Sequence, residues 1–249
     1  MIIKLILIFF AGIIASFINV NAGGGSLLTL PALIFMGLPS AVANGTNRIA
    51  ILVGAISATR KFKNKGIFDW RFGLELAIPA LIGAIIGANI AINIPDRLFN
   101  TILSCVMILV VTVIILDPQK RMKKAFEETT KAKKFIAGVA FFFVGFYGGF
   151  IQLGVGFLIM ATLTLITGLS LVRINALKVF VVLIYTVFSL AIFVFNGKIN
   201  LPVGIALSAG HAIGAHLGAT FAVKKGDKWI RIILAIAVTV MALKLSNIF

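Results

Sequence analysis

The chain has 249 residues, 61% of them hydrophobic and only 12% charged, which is more apolar surface than a soluble domain of this size buries, so lipid must solvate the excess. A net charge of +16 could suggest nucleic acid, but the basic residues gather in short stretches between apolar runs, where cytoplasmic membrane loops collect them. The single cysteine, Cys105, excludes an internal disulfide and a cysteine metal cluster and reads as a small packing residue.

The first apolar run, residues 2–20, could pass for a secretory signal, but it has a counterpart near Phe135 and is therefore read as retained. The chain repeats itself. Gly23, Gly25, Gly37, Asn44, Gly66, Gly73, Gly83, Gly87 and Asp96 reappear in order as Gly154, Gly156, Gly168, Asn175, Gly197, Gly204, Gly214, Gly218 and Asp227, all at one offset of 131 residues. This predicts an all-α membrane protein of two copies, residues 1–116 and 135–249, joined by a basic cytoplasmic linker at 117–134. Many secondary transporters share that architecture, so transport is the default function.

Each half offers five apolar segments: 2–20, 26–37, 41–59, 71–94 and 97–116, then 135–151, 157–168, 172–195, 201–223 and 229–247. Four of each five approach the ~20 residues that cross a hydrocarbon core. The second of each five does not, and a glycine-rich stretch precedes it: Asn21, Ala22, Gly23, Gly24, Gly25 and Ser26 in one half, Gln152, Leu153, Gly154, Val155 and Gly156 in the other. Short, glycine-interrupted segments at matching places in two halves point to a transporter site.

Loop charge predicts orientation. Arg60, Lys61, Lys63 and Lys65 follow the third segment, whereas the equivalent turn near Asn196 has only Lys198. The next connection reverses this bias, with Lys224, Lys225 and Lys228 opposite the weakly charged Pro95, Asp96 and Arg97. Positive loops in the cytoplasm make the halves inverted copies with both termini outside.

An irregular backbone at membrane depth must be buried in protein or line a cavity, and a helix N-terminus there favours an anion. The alternative is that the glycines only let helices pack closely. That reading suits Gly83, Gly87, Gly214 and Gly218 better than the clustered glycines at 23–25 and 154–156, which break a helix. The third segments add Asn44, Asn47 and Arg48 in one copy and Asn175 and Lys178 in the other. Arg48 and Lys178 either snorkel to an interface or help neutralise a small oxyanion between the helix ends. His211 and His216, five residues apart, fit paired metal ligands poorly, and a proton-linked role and a packing role both stay open. No nucleophile with a base, no paired acids and no metal set stand out, so neither an enzyme nor a cofactor is expected.

The run from Gly12 through Ser16 and Phe17, Gly23 to Pro31, and Gly37 to Asn47 resembles the TauE/SafE family of sulfite exporters and permeases, and Gly145 to Gly168 is similar to its second glycine motif. Here Gln152 interrupts the glycine run, and Thr162 stands where the repeat would match Pro31. The resemblance implies a plasma-membrane carrier whose partners are the bilayer and a small inorganic or organosulfur anion, such as sulfite or sulfoacetate. An anion channel would use similar groups; a membrane enzyme or assembly factor is the remaining alternative.

Overall fold

The first apolar run forms α1 (Ile2–Ala22), and it stops where Gly23 turns left-handed at φ +88° with its amide on the Asn19 carbonyl at 2.9 Å. The computed structural model describes residues 2–67, 69–105 and 131–245, and every regular element among them is helical. After the break comes α2 (Ser26–Phe35), ten residues and about 15 Å long at 1.5 Å per residue, closed by Gly37 at φ +95°. The helix α3 (Ser40–Asn64) follows, then α4 (Trp70–Ala91), whose first turn is capped by the Asp69 carboxylate accepting from the Arg71 and Phe72 amides. Residues 96–105 form α5 as far as the described residues reach.

The second half repeats this order as α6 (Lys131–Phe150), α7 (Val155–Thr167), α8 (Leu171–Phe195) and α9 (Leu201–Leu245). The expected linker lies outside the described residues except for 131–134, which belong to α6. The last two expected segments run together as α9, interrupted at Gly226, whose φ of 71° and ψ of −169° are not helical. The repeated aspartates act alike. Asp96 accepts from the Ser40 amide at 2.9 Å, and Asp227 accepts from the Leu171 and Val172 amides at 3.1 Å, so each closes the start of the third helix in its own half.

Packing is reciprocal between the halves: α1 lies along α9 and α6 along α4, while α3 meets α9, α8 meets α4, and α3 meets α8. Small residues let these helices touch backbone to backbone. A Cβ added to Gly83 would stand 2.1 Å from the Phe142 carbonyl oxygen, and one on Gly214 would stand 2.1 Å from that of Ile13. Both glycines therefore take the packing role.

Among the described residues α1, α4 and α8 are long and apolar enough to cross a bilayer, and the expected spans at 97–116 and 229–247 lie partly outside the described residues. The helix α3 has the length, at 25 residues, but its apolar run is diluted by Asn44, Thr46, Asn47 and Arg48 and by its basic last turn. Its polar part is fully inside the bundle, while Ile3, Leu7, Phe10 and Ile14 of α1 face outward, where lipid covers them.

Candidate functional site

The two glycine breaks meet. Gly23 and Gly156 are in backbone contact, such that a Cβ on either would stand 2.4 Å from the other glycine's main chain. The Ser26 hydroxyl, at the start of α2, donates to the Gln152 carbonyl at 2.9 Å and accepts from the Gly154 amide at 3.0 Å. The start of α2 is thereby sewn to the break before α7. The Tyr147 hydroxyl donates to the Leu153 carbonyl in the same break. Gln152 is the one described non-glycine residue at positive φ, at 62°, and its side-chain nitrogen donates to the Thr186 hydroxyl at 3.1 Å. Glutamine at such a φ costs about 1 kcal/mol more than glycine.

Each break also leaves a helix C-terminus in the bundle interior, with carbonyls that lipid and water cannot reach. The third helix of the opposite half supplies the donors. The Asn175 side-chain nitrogen donates to the Asn21 carbonyl at 3.3 Å, and the Lys178 ammonium donates to the carbonyls of Asn19 at 2.9 Å and Val20 at 2.8 Å and to the Asn175 side-chain oxygen at 2.8 Å. The mirrored arrangement serves α6. Asn44 donates to the Phe150 carbonyl at 2.7 Å, while Arg48 donates to the Gly149 carbonyl, to the Asn44 oxygen at 3.3 Å and to the Ser189 hydroxyl at 2.9 Å, its guanidinium 4.7 Å above the Phe193 ring. Neither cation snorkels: Arg48 is 0% and Lys178 2% exposed. Each neutralises the negative end of a helix dipole, and the Val20 and Gly149 carbonyls have no other donor among the described residues.

The opposite, positive helix ends stay open. Among the described residues no hydrogen-bond acceptor is seen for the amides of Gly24, Gly25 and Ser26 at the start of α2, or of Val155 and Gly156 at the start of α7. Ser26, Val155 and Gly156 line a small cavity with room for about one water. Its polar lining is Ser16, Asn19, Ser26, Gln152, Lys178 and His211. The Gln152 carbonyl-type side-chain oxygen and both ring nitrogens of His211 make no hydrogen bond.

All thirteen residues expected at the site are buried at or around this crossing, in three groups. Ser26, Gln152, Gly156 and Lys178 line the cavity. Asn21, Asn44, Arg48 and Asn175 belong to the helix-end caps, with Asn21 also donating to the Gly218 carbonyl at 3.3 Å. Asn47 accepts from the Thr29 hydroxyl at 2.7 Å and ties α2 to α3, while Gly23, Gly24, Gly25 and Gly154 form the breaks. Gly154 takes φ 64° as the residue before α7. Sequence reasoning passed over Ser16 and Asn19. Their spacing of three on α1, one turn before the break, puts both on one helix face, and that was the available signal.

The sequence profile described as Sulfite exporter TauE/SafE matches residues 8–245. The chain belongs to the TauE/SafE family. It is similar to a probable membrane transporter protein of Haemophilus influenzae, with 30% identity over 244 residues that cover 97% of this chain and 94% of the relative. It is likewise similar to the probable membrane transporter protein YfcA of Escherichia coli K12, at 29% over 96% of this chain and 88% of that one, and to YunE of Bacillus subtilis, at 24% over 98% and 96%. No solved structure matches. This TauE/SafE chain is thus a helical membrane protein of a transporter family, and its relatives are named as transporters rather than enzymes.

Proposed function

We propose that this TauE/SafE protein is a secondary carrier of a small oxyanion, sulfite or a sulfur-containing organic anion such as sulfoacetate, bound near the bilayer midplane between the two glycine-broken helices. The observation that carries the reading is the asymmetry of the crossing. Its helix C-termini are neutralised by Lys178, Arg48 and two asparagines, whereas the amides opening α2 and α7 are buried without partners. A buried unpaired amide costs about 1–3 kcal/mol, so those of Ser26, Val155 and Gly156, residues that line the cavity, ask for an acceptor that the described residues do not supply. An oxyanion has several lone pairs, and two positive helix ends suit its charge.

In this reading the halves are inverted copies in the plasma membrane, with the linker inside and both termini outside. Reciprocal packing of α1 on α9 and α6 on α4 supports it, and so does the reversed charge of equivalent loops. The Lys178 donors are all engaged, so its charge, rather than a new hydrogen bond, acts on the ion in this conformation.

Uptake into proteoliposomes across sulfite, sulfate, thiosulfate, sulfoacetate and taurine tests the substrate class. Saturable uptake of at least one sulfur oxyanion is expected, with zwitterionic taurine poorest. Equal, unsaturable leakage of all five would contradict the proposal.

A further inference from the structure

One buried group of the cavity has no task in anion binding. His211 of α9 is 1% exposed, and neither Nδ1 nor Nε2 makes a hydrogen bond. The Ala50 carbonyl of α3 lies near the ring but off hydrogen-bond geometry. A neutral imidazole carries one donor and one acceptor, and a packed histidine normally has both met. Gly54 of α3 faces the ring. A Cβ on Gly54 would come within 3.4 Å of Nδ1 and 3.0 Å of the Ser16 hydroxyl oxygen, itself fixed by donating to the His211 carbonyl at 2.9 Å.

We propose that His211 is the proton-binding group that couples anion movement to protons. This rests on the carrier function above. Of the elements around the ring, α1 brings Ser16 and Asn19, α2 brings Ser26, α7 brings only apolar residues, and α8 brings Lys178, the one charged side chain lining the cavity with it. On α3, Arg48 is turned away toward the Gly149 carbonyl and Phe193. The described carboxylates are elsewhere: Asp69, Asp96 and Asp227 cap helices, and Glu75 is on an exposed face of α4. A protonated His211 would therefore share a buried cavity with the Lys178 ammonium and no protein counter-charge. Two such cations are costly without an anion, and the entering oxyanion supplies the missing charge. Proton and anion thus favour each other's binding, and linkage makes the two effects equal.

The test uses sulfoacetate, whose charge is constant between about pH 6 and about pH 8, where histidine titrates. Binding and uptake are compared for the wild type, His211→Gln and His216→Gln, the last on an exposed face of the same helix. Wild-type affinity should rise about tenfold from the alkaline to the acid condition, and an imposed pH gradient should drive uptake. His216→Gln should behave the same. His211→Gln should bind and exchange sulfoacetate with neither pH dependence nor response to the gradient. Calorimetry of the wild type in buffers of different ionisation heat gives a readout that needs no variant: about one proton taken up per anion bound. Anion binding without proton uptake, or gradient-driven uptake by His211→Gln, would overturn the coupling while leaving the carrier intact. A wild type that carries no anion of the panel would overturn the carrier and the coupling with it.

Discussion

A lysine ammonium placed 2.8 Å from the Val20 carbonyl and 2.8 Å from the Asn175 oxygen is both a helix cap and a source of positive potential, and the two roles separate by substitution. Lys178→Met leaves the Val20 carbonyl and the Asn175 side-chain oxygen without donors and should lower stability by about 1–3 kcal/mol, read as a lower melting temperature in detergent. Lys178→Gln restores one donor and should melt closer to the wild type, yet bind sulfite or sulfoacetate about tenfold more weakly because the charge is gone. Equal affinity in the two proteins would take Lys178 out of the site. Gln152→Gly tests the neighbouring position in the opposite sense. It relieves a positive φ but removes the hydrogen bond to Thr186, so stability should change little while transport slows, because a side chain lining the cavity is lost. Unchanged transport rates in Gln152→Gly would show that the side chain has no part in carriage.

The short helices depend on a crossing that admits no side chains. Gly23→Ala or Gly156→Ala forces a Cβ within 2.4 Å of opposing backbone, so little monodisperse protein should survive purification, whereas Gly66→Ala, with open space around it, should cost only about 1 kcal/mol for its φ of 67°. Gly24→Val and Gly154→Val should instead leave folded protein that does not transport, since a branched side chain crowds amides offered to the ion. Transport by either valine variant would return those glycines to a packing role. The breaks were legible in the sequence because only clustered glycine interrupts an apolar run in that way, and α2 and α7 followed from their shortness. The partners of Arg48 and Lys178 were not. Their acceptors are backbone carbonyls at helix ends in the other half, and a carbonyl leaves no mark on residue identity. The same holds for the cavity: nothing local to His211 told that its ring would stand opposite Gly54 and Ser16.

For the molecule as a whole, the 131-residue offset runs through the sequence, and the caps at Asp96 and Asp227 obey it residue for residue. The helix α3 keeps the length of a span while holding its polar residues inside the bundle, which run length alone does not show. Single cysteines at Asn64 and Asn196, both exposed at helix ends, in a variant lacking Cys105, report orientation. Inverted halves require labelling from opposite faces of the membrane, and labelling of both from one face would refute the inversion. Carriage by alternating access is tested most directly by counterflow. Proteoliposomes loaded with unlabelled sulfoacetate or sulfite and diluted into a trace of the labelled ion should accumulate label transiently above the external concentration and then lose it, because the loaded site returns with whichever ion it meets. Label that only equilibrates, accompanied by unitary currents in planar bilayers, would contradict the carrier.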